Sequence, residues 1–271
     1  MGENNSPQVR AAGGTPWVGR WFAGLGLGLA LLGAALVLLP GPGYRGQLLE
    51  LGPAFTLLRW GALVGLVGGF VSLLALPLLF IGRVRWALWA GFALIGLLVG
   101  AASFGLPWAL LQQARSVPSI HDITTDTAQP PVFHALLHVR QKAPNSAVYG
   151  GPSVARAQQQ AYPDIQPLHL PVSPKQAFAA ALDVAKGMGW GIAAAAPQAG
   201  RIEATATTFW FGFKDDVVIR VRAAGPGVRV DIRSVSRVGV NDLGKNAERI
   251  RQFRDRLTRA LIDEPSAPAA S

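Results

Sequence analysis

The chain has 271 residues, 50% of them hydrophobic and only 15% charged, with a formal net charge of +10. This apolar balance excludes an ordinary soluble protein, and the lack of any Cys excludes disulfides, thiolate catalysis and Cys-based zinc sites. The basic excess is split evenly between residues 1–115 and 116–271 without a nucleic-acid motif, so a membrane and its anionic headgroups are the expected partner, not nucleic acid.

Residues 1–20 carry Arg10 and Arg20 and are expected to form a cytoplasmic tail. Three uncharged apolar runs follow: Trp21 to Leu39, Trp60 to Ile81 and Trp86 to Trp108. Each has about the 20 residues that a helix needs to cross about 30 Å of hydrocarbon. The first run is read as a permanent helix, because no small-residue cleavage site follows it and two more runs come after. Trp17, Trp21, Trp60, Trp86, Trp89 and Trp108 lie at or near the run ends, where an amphipathic indole prefers the headgroup region. Arg10, Arg20, Arg83 and Arg85 on one side outweigh Arg45, Arg59 and Glu50 on the other. This puts the N-terminus in the cytoplasm and residues beyond Trp108 in the periplasm of a Gram-negative cell, with the spans in the inner (cytoplasmic) membrane.

Each run carries glycine at four-residue spacing: Gly24 with Gly28, Gly61 with Gly65 and Gly69, and Gly96 with Gly100. Such pairs let helix backbones approach closely in lipid, either within the chain, the preferred reading, or between copies in a homo-oligomer. Ser72 and Ser103 are the polar residues inside the runs, too little to mark a transport path, so residues 21–111 are read as a three-helix anchor.

Residues 116–262 turn to a mixed α+β pattern, expected as an extracytoplasmic domain, with 263–271 as a disordered tail. The stretch SIHDITTDTAQPP (119–131) is expected as the incoming strand, its Asp and Thr bonding nearby amides. SPKQAFAAALDVAKGMG predicts a helix with Ser173 as N-cap, Pro174 at the first position and Gln176 closing a capping box; Phe178, Leu182 and Ala185 share its inner face. Alternating segments Trp190 to Ala196, Arg201 to Thr208, Asp216 to Ala223 and Val228 to Ser236 predict a four-stranded antiparallel meander. A closing helix carries Ile250, Phe253, Leu257 and Leu261 on one stripe, and helices are expected on one face of the sheet.

Strand alternation gives each face its residues. Val217, Ile219 and Val221 should meet Val228, Val230 and Ile232 under the helices. Arg220, Arg222, Asp231, Arg233, Glu203, Thr205 and Thr207 then share the outer face, expected to be solvated and knitted by weak ion pairs. The alternative use of that face is a polar platform for an anionic or sugar-like ligand. Arg249, Arg251, Arg254, Arg256 and Arg259 surround the closing helix and are candidates for lipid headgroups.

With PSIHDITTD, YPD (162–164), FGFKDDVVIRV and VDIRSVSRVGVNDLGKNAERI in view, residues 116–262 resemble a bacterial and plastid domain-of-unknown-function family, DUF fourteen-ninety-nine, some of whose bacterial members have several spans before the domain. On this resemblance His121, Asp122, Thr124, Asp126, Tyr162, Asp164, Phe211, Gly212, Phe213, Asp215, Asp216, Arg220, Asp231, Arg233, Ser234, Ser236, Arg237, Asp242, Gly244 and Asn246 occupy family motif positions. The resemblance transfers a domain identity and no mechanism.

The chemistry these residues could carry is limited by spacing. His121, Asp122 and Asp126, with Asp164 or His169, could suit a divalent ion but match no dedicated metal motif. Adjacent Asp215 and Asp216 point to opposite faces of a strand, so they form no paired-carboxylate site by themselves and are expected to shape a turn or to pair with Arg220 or Arg237. Ser234 and Ser236 lack a nearby His or nucleophile-elbow glycines. Asn246 is expected to cap the closing helix, although amides at that N-terminus could hold an anion. The expectation is a non-catalytic, membrane-anchored envelope protein without cofactor, whose domain binds a partner protein, lipid headgroup or envelope polymer. His121, Asp122, Asp126, Asp164, Arg220, Asp231, Arg233, Ser234 and Arg237 are its candidate ligand residues. The alternatives are a metal-dependent hydrolase centred on His121, Asp122 and Asp126, and a structural subunit of a membrane complex.

Overall fold

The structure, a computed structural model, describes residues 16–81 and 86–263. The expectations for most of the N-terminal tail, for the turn bearing Arg83 and Arg85 and for residues 264–271 lie outside those residues. Two compact units are present, Met1–Leu110 and Leu111–Ser271.

The first unit contains α1 (Pro16–Leu38), a short α2 (Pro40–Arg45), α3 (Leu51–Ile81) and α4 (Trp86–Ser116), whose last residues belong to the second unit. Three helices are long and apolar enough to cross a membrane, over Trp17–Arg45, Leu51–Leu79 and Ala87–Ser116. Trp17, Trp21, Trp60 and Trp108 are exposed near their ends, as interfacial indoles require. The buried stripe of α1 is Ala23, Gly26, Ala30, Gly33 and Val37, spaced alternately three and four apart, so this face lies continuously against α3. A Cβ on Gly33 would fall 2.3 Å from the Gly65 nitrogen, and one on Gly68 2.3 Å from the Ala30 nitrogen.

The expected glycines of α3 and α4 do pack, Gly61 on α1, Gly65 on Ser103 and Gly69 on Gly100. The expected α1 pair does not: a Cβ on Gly28 would meet nothing within 4 Å, and one on Gly24 only the Trp89 ring at 3.8 Å. Four-residue spacing marks a stripe without saying which way it faces. The stripe on the opposite face, Gly26 and Gly33, has the small neighbours Ala23 and Ala30 and takes the interface.

The second unit contains β1 (Asp122–Thr124), α5 (Leu137–Arg140), α6 (Pro152–Ala161), β2 (Leu168–Leu170), α7 (Pro174–Gly187), β3 (Gly191–Ala196), β4 (Arg201–Thr207), β5 (Lys214–Ala224), β6 (Gly227–Ser236) and α8 (Lys245–Thr258), which continues as a π turn at Arg259–Asp263. The meander β3–β6 is as expected, and the β5–β6 turn closes on Gly225 at φ 56°, which an L side chain rarely adopts. The sheet is nevertheless six-stranded. β1 and β2 both pair antiparallel with β6, at Val235–Arg233 and Val230–Val228. β1 is the expected incoming strand, narrowed to Asp122–Thr124 and joined to the sheet, whereas β2, three residues long, is too short to show alternation.

Ser173 caps α7 with the full capping box. α7 and α8 bury Ala177, Phe178, Ala181, Ala185, Ile250, Phe253 and Leu257 against Val217, Ile219, Val221, Val228, Val230 and Ile232. Full burial of the Val, Ile, Leu and Phe side chains among these contributes roughly 1.5–3 kcal/mol each. The opposite face is largely covered, although Thr207 and Arg222 at its ends remain exposed. Residues 125–149, with α5, lie across it, and Phe133 and Leu136 pack on Val218 and Val235 as a second, small apolar cluster. Beneath this strap Asp216 and Asp231 are fully buried and Arg233 is 1% exposed.

Candidate functional site

The strap is fastened by the charged face it covers. The Glu203 carboxylate accepts from three successive strap amides, His134, Ala135 and Leu136, at 2.9, 3.1 and 3.0 Å, and from Arg201 Nε at 3.1 Å. Three amides converging on one carboxylate is how a helical turn binds an anion, here an internal one. Arg233 forks onto Asp122 at 2.9 and 2.6 Å and donates to the Pro131 and Ala147 carbonyls. The rings of Phe133 and Tyr149 lie over its guanidinium at 5.5 and 5.6 Å. Burial pushes the Tyr149 phenol up to about 12.

Two further groups complete this layer. Asp126 and Asp231 share Arg220 and Arg229, with contacts of 2.7 to 3.0 Å, and Arg222 reaches Asp231 at 3.2 Å. Asp126 also accepts from the Ala128 and Gln129 amides, the turn chemistry its sequence predicts. Asp216 takes Arg140 at 2.9 Å and both arms of Arg237 at 2.9 and 2.8 Å, with Thr205 Oγ1 donating at 2.8 Å. Burial alone would raise the Asp216 carboxyl, but Arg237, Thr205 and Arg140 outweigh it and hold it below its ordinary value. A charge taken out of water is tolerated only when paired and hydrogen-bonded, and each of these is.

The nine ligand candidates therefore do not form one pocket. Asp122 with Arg233, Asp126 with Arg220 and Asp231, and Arg237 with Asp216 occupy three separate ion-pair groups on the strap side. Ser234 lies on the helix side, where its hydroxyl donates to Asn246 Oδ1 at 2.6 Å. Asp164 is on the surface, forked by Arg251 at 2.6 and 2.7 Å and held below the usual carboxylate range by that pair. His121 contributes its backbone carbonyl, which accepts from Ser236 N and Asn246 Nδ2. Among the described residues no three His, Asp or Glu side chains gather as a metal-binding group. Asp122 and Asp126 are gripped by different arginines.

Asn246 does not cap α8. The cap residue is Gly244 in the left-handed region, and Asp242 supplies the acceptors, one oxygen to the Gly244 amide and the other to Asn246 N. Burial pushes the Asp242 carboxyl up. Asn246, fully buried one residue inside the helix, joins Ser234, Ser236 and His121, and Arg249 ties this hub to Asp215 at 2.7 Å.

The arginines of the closing helix are accordingly not one basic face. Arg249 is committed inward, Arg251 to Asp164, Arg254 to the Asp164 carbonyl at 2.8 Å and Arg256 to the Gly187 carbonyl at 3.4 Å. An open cleft of about 250 Å³ lies between α8, the end of β4 and the α7–β3 turn. Its lining is mainly polar and includes Trp190, Thr207, Lys245, Glu248, Arg249, Gln252 and Arg256. Arg140, the strap residue that sequence reading missed, sits in a stretch without periodicity. The available signal was the pair of apolar side chains, Val218 and Val235, on a face otherwise read as solvated.

A family model described as "Protein of unknown function (DUF1499)" matches residues 122–257, half of the chain. The chain belongs to this family. No curated protein and no solved structure matches it. The DUF1499 match begins at Asp122, the partner of Arg233, and ends at Leu257, the last fully buried residue of α8. It therefore spans the strap, its charged fastenings and both layers of the domain.

Proposed function

We propose that this chain is a multi-pass protein of the inner membrane, N-terminus in the cytoplasm, whose DUF1499 domain stands in the periplasm as a non-catalytic module binding an anionic group, either a lipid headgroup or an envelope polymer. The topology rests on the three apolar helices and the arginine balance of the short loops. The binding role rests on one observation. The motif carboxylates and guanidiniums satisfy one another beneath the strap, whereas the 250 Å³ cleft is open and presents Lys245, ion-paired with Glu248 at 2.8 Å, and Arg256, which reaches the Gly187 carbonyl, while Arg249 at its wall is already paired with Asp215. Ligand sites are concave with a few convergent polar groups, and this cleft has that form with a positive balance.

The test uses full-length protein in phosphatidylcholine nanodiscs and calorimetric titration with soluble phosphate-bearing headgroup analogues and anionic polymer fragments. Saturable binding that falls at least tenfold in a Lys245→Glu, Arg256→Glu variant, and stays unchanged in Arg259→Ala, is the expected result. Absence of saturable binding to every one of these anions would overturn the reading.

A further inference from the structure

The turn joining β4 to β5 reads TTFWFGF, Thr207–Phe213, and the anion-binding reading uses none of its aromatic residues. Four of its seven residues are aromatic. Phe211 is buried and stacks on Phe213 at 4.9 Å with an interplanar angle of 4°, while Trp210 meets Phe211 edge-on at 4.9 Å. Thr208 closes the loop by donating its amide to the Phe213 carbonyl and accepting from the Phe213 amide at its hydroxyl. On this internally braced base Phe209 stands 89% exposed, the most exposed large hydrophobic side chain among the described residues.

Its place in the domain gives the exposure a use. Asp215, just past the turn, pairs with Ser236 at the end of β6, and Arg237 N donates to the Lys214 carbonyl. From there the chain runs through Val240, 77% exposed, to Asn241 and Leu243. Asn241 Nδ2 donates to the Ala114 carbonyl at 3.1 Å, and Gln113 Nε2 donates to the Leu243 carbonyl at 2.9 Å. Residues 113 and 114 lie in the last turn of the third membrane-capable helix, Ala87–Ser116, within the stretch from Leu111 onward that belongs to the second unit. The aromatic turn thus shares the end of the domain that carries the covalent tether. The same end exposes Arg115, Lys214 and Lys245.

We propose that the β4–β5 turn is a second membrane contact, in which Phe209 and the Trp210 indole seat in the interface of an anionic bilayer and Arg115, Lys214 and Lys245 meet headgroup phosphates. Aromatic rings favour the headgroup level and basic side chains the negative surface potential. A tether converts such a contact into an intramolecular one, so one turn suffices where a free domain would not bind. The contact holds whichever side of the membrane the domain occupies; it shares Lys245 with the cleft but rests on the aromatic turn, which the cleft does not use.

The chain has no Cys, so Phe209→Cys and Ala223→Cys each give a single labelling site. Ala223 is exposed at the opposite end of β5. Nitroxide-labelled full-length protein is reconstituted in nanodiscs of phosphatidylcholine with phosphatidylglycerol, and accessibility to oxygen and to a water-soluble nickel chelate is read at both sites. The expected result is preferential oxygen access at 209 and preferential nickel access at 223, with the preference at 209 reduced by Lys214→Glu, a residue outside the cleft. Equal nickel access at both sites overturns the proposal. Protection at 209 accompanied by dipolar broadening from a second labelled copy also overturns it, assigning the turn to self-association.

Discussion

Asp122 and Arg233 form a two-armed ion pair, at 2.9 and 2.6 Å, between side chains 111 positions apart, one opening the first strand of the sheet and the other near the end of the last. Both are nearly fully buried. The same guanidinium holds the Pro131 and Ala147 carbonyls, so the pair fixes both ends of the strap at once. Asp122→Ala strands a buried cation and is expected to destabilise the domain by about 3–5 kcal/mol. A double change to Asp122→Leu with Arg233→Met is expected to recover part of that loss. Chemical denaturation of the full-length protein in detergent, followed by domain tryptophan fluorescence, measures both. Equal losses in single and double variants would refute the account.

Asp216 makes the fold acid-sensitive in a defined direction. Its folded pKa lies below the ordinary 3.8, because the contacts with Arg237, Thr205 and Arg140 outweigh its burial. As pH falls, the unfolded chain takes up this proton first. The stability from Asp216 is therefore complete above 3.8 and is lost as pH drops through the folded value. Asp216→Asn is expected to be less stable than wild type at neutral pH, with the gap narrowing steadily below 3.8. Unfolding free energies of both proteins across that range decide it, and a gap that widens would contradict the ion-pair assignment.

How far the sequence carries this fold depends on the range of the interaction. Alternation in β4–β6 places Val217, Ile219 and Val221 under the helices and Arg220 beside Asp231, and the structure has both. What alternation cannot say is whether a charged face meets water or another layer of chain. Here that is decided by residues 125–149, which have little regular structure and fasten through Glu203, Arg140 and Arg233 across long sequence separations. Asn246 shows the same limit: its position before an apolar stripe suggests a cap, but left-handed Gly244 moves the helix start and sends Asn246 to the sheet.

Asp242 and Asn246 should accordingly differ in cost. Asp242→Ala removes the acceptors for two amides at the start of α8, a capping loss of about 1 kcal/mol. Asn246→Ala leaves the Ser234 hydroxyl without its acceptor and the Ser236 hydroxyl without its donor in the interior, at roughly 1–3 kcal/mol per stranded group, while the His121 carbonyl keeps Ser236 N. The expected order of unfolding midpoints is wild type, then Asp242→Ala, then Asn246→Ala. The reverse order would return the capping role to Asn246.

Within the membrane-capable helices, Gly33 and Gly28 make opposite predictions although both belong to α1. A side chain at Gly33 collides with the Gly65 backbone, which cannot retreat without separating α1 from α3, so Gly33→Leu is expected to lower the thermal midpoint of the full-length protein. A side chain at Gly28 meets open space, and Gly28→Leu is expected to leave that midpoint unchanged. Native mass in nanodiscs adds the second readout. If copies associate through the outward Gly24 and Gly28 stripe, Gly28→Leu shifts the protein toward monomer while its midpoint stays put. A midpoint drop in Gly28→Leu would mean that this stripe, rather than Gly26 and Gly33, packs within the chain.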